Sequence, residues 1–393
     1  MTACHTDSGA DAAASARYWV VEWSGGGGFG HYAWLLSDAL TDCYPDVVLA
    51  TRRTHELISM AHRHRLAPIW PAAPATRSRA LRKPIVSVGR LVGWVRLLWL
   101  VFRRRGRGDI IHLQGADRLA ELPFFLALRA SGATIVATAH NALRHDSGRF
   151  SRAAARMLYR IPHCIVTHTD AAADVIRRTT RGRRPVLVAP HPSYLPMVDH
   201  FVHARHPSAG LPLTVAHLGQ IRPYKGLGRV TAAVRTAIEH HPDLCFTIAG
   251  RAQDLDGVEE MLIGVPSANV VRDLGYLPIG QLIEHACAAD VVVLGHRSTS
   301  ESGVAHLALA AGAVVVGPRV PAIERLLASE PRWLYEPDDP SDAGRVLLAV
   351  LARVASDRTG MRSRARAVAE AVPSWVSLAC VTRDFVESHR VTR

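Results

Sequence analysis

Residues 213–226 read Leu213-Thr214-Val215-Ala216-His217-Leu218-Gly219-Gln220-Ile221-Arg222-Pro223-Tyr224-Lys225-Gly226, and a helical pattern, Leu227–His240, follows at once. A short apolar run without clean alternation is the mark of a parallel strand buried on both faces. This one ends in a turn bounded by glycines that carries a guanidinium and an ammonium. Strand, glycine turn and helix in that order form the repeating unit of a doubly wound α/β sheet. The same succession stands near the start of the chain. There Tyr18–Trp23 leads through Ser24-Gly25-Gly26-Gly27-Gly28-Phe29-Gly30 into a helical stretch, His31–Leu40.

Working outward, further strand patterns fall at Asp46–Leu49, Asp109–Leu113, Thr134–Thr138, Cys164–Thr167 and Pro185–Ala189. After the quoted strand they continue at Cys245–Ala249, Asn269–Val271, Val291–Leu294 and Ala313–Val316. Helical stretches between them include Arg118–Arg129, Arg149–Tyr159, Ile279–Ala288, Val304–Ala311 and Ile323–Ala328. The alternation pauses once, over Pro190–Pro212, which holds five prolines and little periodicity. The expected fold class is therefore α/β, as two Rossmann-like domains with parallel sheets facing each other across a cleft. The expected division is a tail over 1–17, a first domain over 18–200 and a linker over 201–212. A second domain over 213–373 follows, then a C-terminal helix over 374–393 packing back on the first.

Composition narrows the function. The chain has 393 residues, 48% of them apolar and 21% charged, which excludes a disordered chain, a collagen-like fibre and a disulfide-stapled miniprotein. The excess of 47 Lys+Arg over 34 Asp+Glu gives a net charge of +13, which calls for an anionic partner. Only Lys83 and Lys225 are lysines. No zinc finger, homeodomain or RNP signature accompanies the charge, so no nucleic-acid partner is expected. Cys4, Cys43, Cys164, Cys245, Cys287 and Cys380 contain no C-x-x-C pair, and no H-E-x-x-H helix is present. Residues 1–17 do not read as a signal peptide. The longest apolar run, Leu91–Phe102, has Arg96 at its middle and falls short of the ~20 residues of a spanning helix, so none is expected. A cytoplasmic location follows.

The charge is concentrated. Arg77, Arg79, Arg82, Lys83, Arg90, Arg96, Arg103, Arg104, Arg105 and Arg107 lie in one segment with no acidic residue. Two readings are open for it. It is a buried helix of the first sheet with basic ends, or a patch that docks on an anionic membrane surface.

Four places could carry chemistry. The first glycine run lets backbone amides approach a phosphate at a helix N-terminus, and Gly28-x-Gly30-x-x-Ala33 loosely satisfies a dinucleotide fingerprint. The second strand ends Ala50-Thr51-Arg52-Arg53 without the acidic residue a ribose needs, which disfavours NAD. A flexible turn with no ligand is the alternative. The Gly219–Gly226 turn places the Arg222 fork and the Lys225 charge at a strand end, parts that suit a diphosphate; its alternative is a solvated basic turn. His296-Arg297-Ser298-Thr299-Ser300-Glu301-Ser302-Gly303 precedes a helix and either offers amides to an anion or is an empty N-cap. Thr138-Ala139-His140-Asn141 ends a strand of the first domain, where open α/β sheets bind ligands.

Together these residues resemble the GT-B glycosyltransferases, specifically the retaining glycosyltransferase family 4, over roughly residues 18–390. The resemblance rests on the G-x-I-R-P-Y-K-G turn and on Asp290–Pro318, DVVVLGHRSTSESGVAHLALAAGAVVVGP, which is similar to a branch with a Ser-Gly helix start. It implies a nucleotide-sugar donor held mainly by the second domain. Arg222 and Lys225 would hold its diphosphate, with helix amides at Ser302 and Gly303. Gly28 and Gly30 would close over the diphosphate, and His140 would contact the transferred sugar. Asn141 and Arg297 join these as substrate-binding residues. With Gly312 in register, the family's Glu-x7-Glu slots hold Thr299 and Leu307, which leaves Glu301 as the sugar-contacting carboxylate. The implied catalytic set is thus His140, Arg222, Lys225 and Glu301. The implied reaction keeps the anomeric configuration and uses no metal or cofactor, since no D-x-D motif stands at a strand end. The acceptor would be a lipid-linked or polysaccharide or glycolipid precursor, reached from the inner face of a bacterial cell membrane. The alternatives are a non-catalytic partner subunit and another enzyme of the same fold, such as a sugar-nucleotide epimerase or a phosphorylase.

Overall fold

The structure is a computed structural model that describes residues 16–72, 79–103, 108–115, 119–140, 156–202, 210–297, 301–339 and 341–391, without the side chains of 79–83. The chain divides into two compact units, residues 1–191 with 374–393, and residues 192–373.

The first unit contains β1 (Tyr18–Val21), α1 (Gly27–Leu40), β2 (Val47–Arg52), β3 (Arg65–Trp70), α2 (Arg79–Arg103), β4 (Ile110–Gln114), α3 (Leu122–Ala130), β5 (Thr134–Ala139), β6 (Cys164–Thr167), α4 (Asp170–Thr180) and β7 (Val186–Val188). Its strands form one sheet in the order β3-β2-β1-β4-β5-β6-β7, every neighbouring pair parallel. The second unit runs through α5 (Leu195–Phe201), β8 (Thr214–Leu218), α6 (Leu227–His240), β9 (Cys245–Ala249), α7 (Leu255–Met261), β10 (Val270–Asp273), α8 (Ile279–Ala288), β11 (Val291–Val293), α9 (Gly303–Ala310), β12 (Val314–Pro318), α10 (Pro321–Leu326), β13 (Leu334–Tyr335), α11 (Asp342–Ser356) and α12 (Arg358–Ala371). Its sheet order is β10-β9-β8-β11-β12-β13, again all parallel. Both units are therefore Rossmann-like. In each, the strand order reverses beside the first strand, at β1/β4 and at β8/β11, and the crevice beyond the strand ends there is the natural ligand position.

Two edge strands were not marked by the sequence pattern. β3 contains Pro68, which an edge tolerates because no further strand needs its missing N–H. β13 has only two residues. The first glycine run is less of a loop than its composition suggests, because α1 begins at Gly27 rather than at His31. The change of unit falls between His191 and Pro192, ahead of residues 201–212. The reason is α5, which packs on α8 and α9. The last helix, α13 (Trp375–Glu387), belongs to the first unit. It lies against α1, where Tyr44 donates to Glu387 at 2.9 Å, while Arg390 beyond it donates to the carbonyl of Gly108 at 2.7 Å.

Helix α2 is docked by its small residues. A Cβ at Gly93 would stand 2.1 Å from the Trp70 indole, and one at Gly89 would stand 2.9 Å from Pro71. Trp94, Leu97 and Val101 continue that face into the core of the first unit. The stretch Pro84–Arg103 is long and apolar enough, by length and composition, to cross a membrane, contrary to the expectation from the uninterrupted run. Gly89, Arg90, Gly93 and Arg96 break the run without making the stretch polar on average.

In the second unit, the strand ends away from the candidate ligand crevice are braced by arginines. Buried Asp290 accepts from the Thr214 amide at 2.9 Å and from Arg358 at 2.8 Å. Arg362 donates to the carbonyls of Cys287, Ala289 and Ala311, each at 2.9 Å. A charge lost on either side would leave a buried ion unpaired.

Candidate functional site

The second unit builds its site from backbone contacts that only glycine permits. Gly219 ends β8 at φ +90°, and a Cβ there would meet Val304 of α9 at 2.8 Å. Arg222 is extended, Pro223–Lys225 makes one 3-10 turn, and Gly226 at φ +67° serves as the N-cap of α6. A Cβ on Gly226 would lie 1.9 Å from the Gly295 carbonyl oxygen. The turn after β8 and the loop after β11 are thus in backbone contact. Arg229 on α6 locks that contact by donating to the Gly295 carbonyl at 3.0 Å, and Tyr335 donates to that of Leu294 at 2.7 Å. The result places the Arg222–Lys225 turn beside the start of α9.

Lys225 is half-buried in a setting that disfavours its charge. Burial first, and the Arg222 guanidinium second, pull its ammonium down to about 8. It remains mostly protonated at pH 7. Its Nζ lies 5.5 Å from the centre of the Tyr224 ring. Among the described residues neither Arg222 nor Lys225 pairs with a carboxylate, so two cations share one turn with no counter-ion. Behind them, His217 of β8 is buried and donates through Nδ1 to the Val293 carbonyl at 3.2 Å. Burial pushes this imidazole down to about 4, with the Lys225 charge adding to it. A neutral histidine beside the lysine avoids a third positive charge.

Ser302 is the buried N-cap of α9, and its Oγ accepts from the Ala305 amide at 3.4 Å. Gly303, the first residue of α9, lies against the Tyr194 ring, 3.5 Å from a Cβ built on it. Glu301 is committed elsewhere: its carboxylate pairs with Arg325 at 2.8 Å and lies 3.5 Å from His306. A sugar contact by Glu301 must share the carboxylate with Arg325. Arg297 is exposed. Thr299, which fills the first slot of the carboxylate pair, lies outside the described residues.

The first unit brings Gly28, Gly30 and His140 together by a different route. Gly28 and Gly30 lie in the first turns of α1, and Phe29 between them stacks on the His140 ring at 4.6 Å and 21°. His140 follows β5 and also meets the edge of Tyr32 at 4.6 Å. Its Nε2 is 3.1 Å from the Gln114 amide, and its Nδ1 is 3.3 Å from Nε2 of His168. His168 Nδ1 lies 2.9 Å from the Ala189 carbonyl, which only accepts, so His168 donates there. Burial and the neighbouring His168 hold His140 well below the ordinary histidine value. It is a neutral ring with its face on Phe29 and its edge against Gln114 and His168. Asn141 lies outside the described residues.

The residue that pattern reading missed here is Glu22. Its buried carboxylate accepts from the amides of Ser24 at 2.7 Å and Gly25 at 2.8 Å, and from the Ser24 hydroxyl. Burial raises its pKa against the pull of these donors. Two amides of the glycine run are thereby taken by the protein's own carboxylate. A carboxylate preceding a serine and glycines at a strand end was the available signal. Among the described residues no group of three or more His, Cys, Asp or Glu is placed to hold a metal ion.

Two Rossmann-like units in one chain are the architecture of the GT-B fold. Comparison agrees. Residues 212–353 match the family described as Glycosyl transferases group 1, so the second unit carries that domain. No curated protein matches the sequence. Among solved structures, the chain is similar to sucrose-phosphate synthase from Thermosynechococcus elongatus at 16% identity and TM-score 0.67, covering 95% of this chain and 98% of that one. It is similar to an E. coli trehalose-6-phosphate protein bound with UDP-2-fluoro glucose, at 12% identity and TM-score 0.66, over 96% and 100% of the two chains. The Anabaena protein HepE in complex with UDP-glucose matches at 14% identity and TM-score 0.64, over 95% and 99%. The protein is a glycosyltransferase with the GT-B fold.

Proposed function

We propose that the protein moves a sugar from a nucleotide-sugar donor to a lipid-linked or polysaccharide or glycolipid precursor, with retention of anomeric configuration. The observation that carries this reading is the Arg222–Lys225 turn, two cations without a carboxylate partner beside the start of α9. When the bond from the anomeric carbon to the diphosphate breaks, negative charge develops on the leaving oxygen. A guanidinium, a half-buried ammonium and helix N-terminal amides held in place by the fold meet that charge with little reorganisation. Ser302 and Gly303 supply the helix start, and Arg297 and Asn141 complete the substrate contacts. Gly28 and Gly30 line the diphosphate from the first unit, and His140 and Glu301 contact the sugar. Similarity to structures that hold UDP-glucose and UDP-2-fluoro glucose supports a nucleotide-sugar as donor. Charge stabilisation rests here on protein groups, so turnover is metal-independent and chelator leaves the rate unchanged. The place of action is the cytoplasmic face of an anionic membrane, contacted peripherally through residues 77–107.

The test is a thermal-shift screen with UDP-, GDP- and ADP-sugars, followed by donor turnover for Lys225→Ala. A ligand that binds the native state raises its melting temperature. Removal of the ammonium is expected to cost ~10²-fold in kcat/KM, and Lys225→Arg to recover part of it. No shift with any sugar nucleotide, or a near-normal rate in Lys225→Ala, overturns the reading.

A further inference from the structure

Helix α2 has a second apolar face. Ile85, Val88, Leu91, Val92, Val95, Trp99 and Phe102 are all exposed, Val88 at 61% and Trp99 at 56%. At 100° per residue these seven lie within an arc of roughly 120°, opposite the Gly93, Leu97 and Val101 side that enters the core. Surface helices ordinarily present polar residues there. Exposed Arg96 falls at the margin of the arc, and Arg103 does so with its guanidinium 4.9 Å from the Trp99 ring. Arg90 does not join them, because it is drawn inward onto the Trp23 ring and into an ion pair with Glu121.

We infer that α2 lies flat on an anionic lipid bilayer, its exposed arc in the acyl boundary and its arginines at the phosphate level. An amphipathic helix with aromatic and aliphatic residues on one side and cations at its edges binds in this way. The segment supplies the charge complement: ten cationic residues and no acidic one from Arg77 to Arg107. The helix does not span. Trp94, Leu97 and Val101 are part of the core cluster of the first unit, and a spanning helix would have to abandon them. This deepens the acceptor reading above, since a flat helix brings the first unit to the surface where a lipid-linked acceptor would lie.

The test is co-sedimentation of the full chain, without donor, on vesicles of phosphatidylcholine alone or with phosphatidylglycerol. Binding is expected to be at least ~10-fold stronger on the anionic vesicles and to weaken with salt. The triple variant Val88→Ser/Val95→Ser/Trp99→Ser is expected to lose more than ~10-fold of it. Arg96→Glu/Arg103→Glu is expected to abolish the preference for anionic lipid, and it stands in should the triple variant not fold. Equal binding to both vesicles overturns the inference. So does wild-type binding by either folded variant, or dimerisation through this face without vesicle binding. Donor turnover in solution is read separately, so a failed membrane result leaves the transfer reading untouched.

Discussion

At the switch point of the first sheet, β1 runs into Glu22, whose carboxylate turns back to accept the amides of Ser24 and Gly25. At the same point of the second sheet, β8 runs into Gly219 and then into Arg222 and Lys225, with no carboxylate partner among the described residues. The strand order around the two points is identical. Topology therefore decides where the chain can present a ligand site, and a handful of side chains decide its sign. The first unit consumes part of its own amide supply internally and surrounds the rest with neutral rings. The second holds its loops together by glycine contacts and leaves its cations for a ligand. The same division extends to titration. Burial pushes His55 and His163 down to about 4 and His64 and His112 down to about 3 in the first unit and holds His140 well below the ordinary value, whereas among the described residues of the second unit only His217 is pushed down, to about 4.

Acid is the strongest way to separate the units. A histidine depressed in the native state binds its proton first in the unfolded chain, so stability is complete above pH ~6.5 and falls as pH drops toward the folded value. At pH 5 each such buried histidine is expected to remove about 2 kcal/mol. Five of them in the first unit against one among the described residues of the second predict that the first opens earlier. Hydrogen exchange at pH 7 and pH 5, followed segment by segment, reads this directly. Equal loss of protection in β4 and β8 would erase the distinction.

A smaller effect comes from the glycines. Gly226→Ala forces a Cβ to 1.9 Å from the Gly295 carbonyl at φ +67°, and about 3 kcal/mol of stability is expected to be lost. Gly28→Ala meets nothing within 4 Å and is expected to change stability by less than ~0.5 kcal/mol. Urea denaturation of both variants checks the pair. Similar losses in the two would mean that the turn after β8 is no more constrained than the start of α1. Glu22→Ala falls between them. It orphans the Ser24 and Gly25 amides, and a loss of about 2 kcal/mol is expected from the same measurement.

The fold was largely legible because buried parallel strands leave short apolar runs, and eleven such runs map onto strands of the two sheets. What escaped were edges and contacts. β3 was hidden by Pro68, and β13 is too short to leave a pattern. The site was legible where chemistry is carried by rare residues: Lys225 is one of two lysines, and it stands at a switch point. Gly295, His217 and Arg229 were not legible, since their roles arise from segments that meet only after folding. Nor could spacing reveal that Glu301 is tied to Arg325, or that His140 is shielded by Phe29. The basic segment shows both limits at once. Charge counting located it, but only packing separates the Gly93 face from the exposed one and removes Arg90 from the free cations.

The finest test concerns the second unit alone. Burial and Arg222 lower Lys225 to about 8, so its charge is present below that value and lost above it. If that charge meets the donor diphosphate, kcat/KM is expected to be halved near pH ~8 and to fall ~10-fold per further pH unit, because this ratio reports the free enzyme. Lys225→Arg keeps its charge throughout this range and should flatten the alkaline limb while lowering the plateau, since a planar fork does not reproduce a point charge. A wild-type profile flat to pH 10, or an alkaline limb unchanged in Lys225→Arg, would show that the cation pair is not what distinguishes the second switch point from the first.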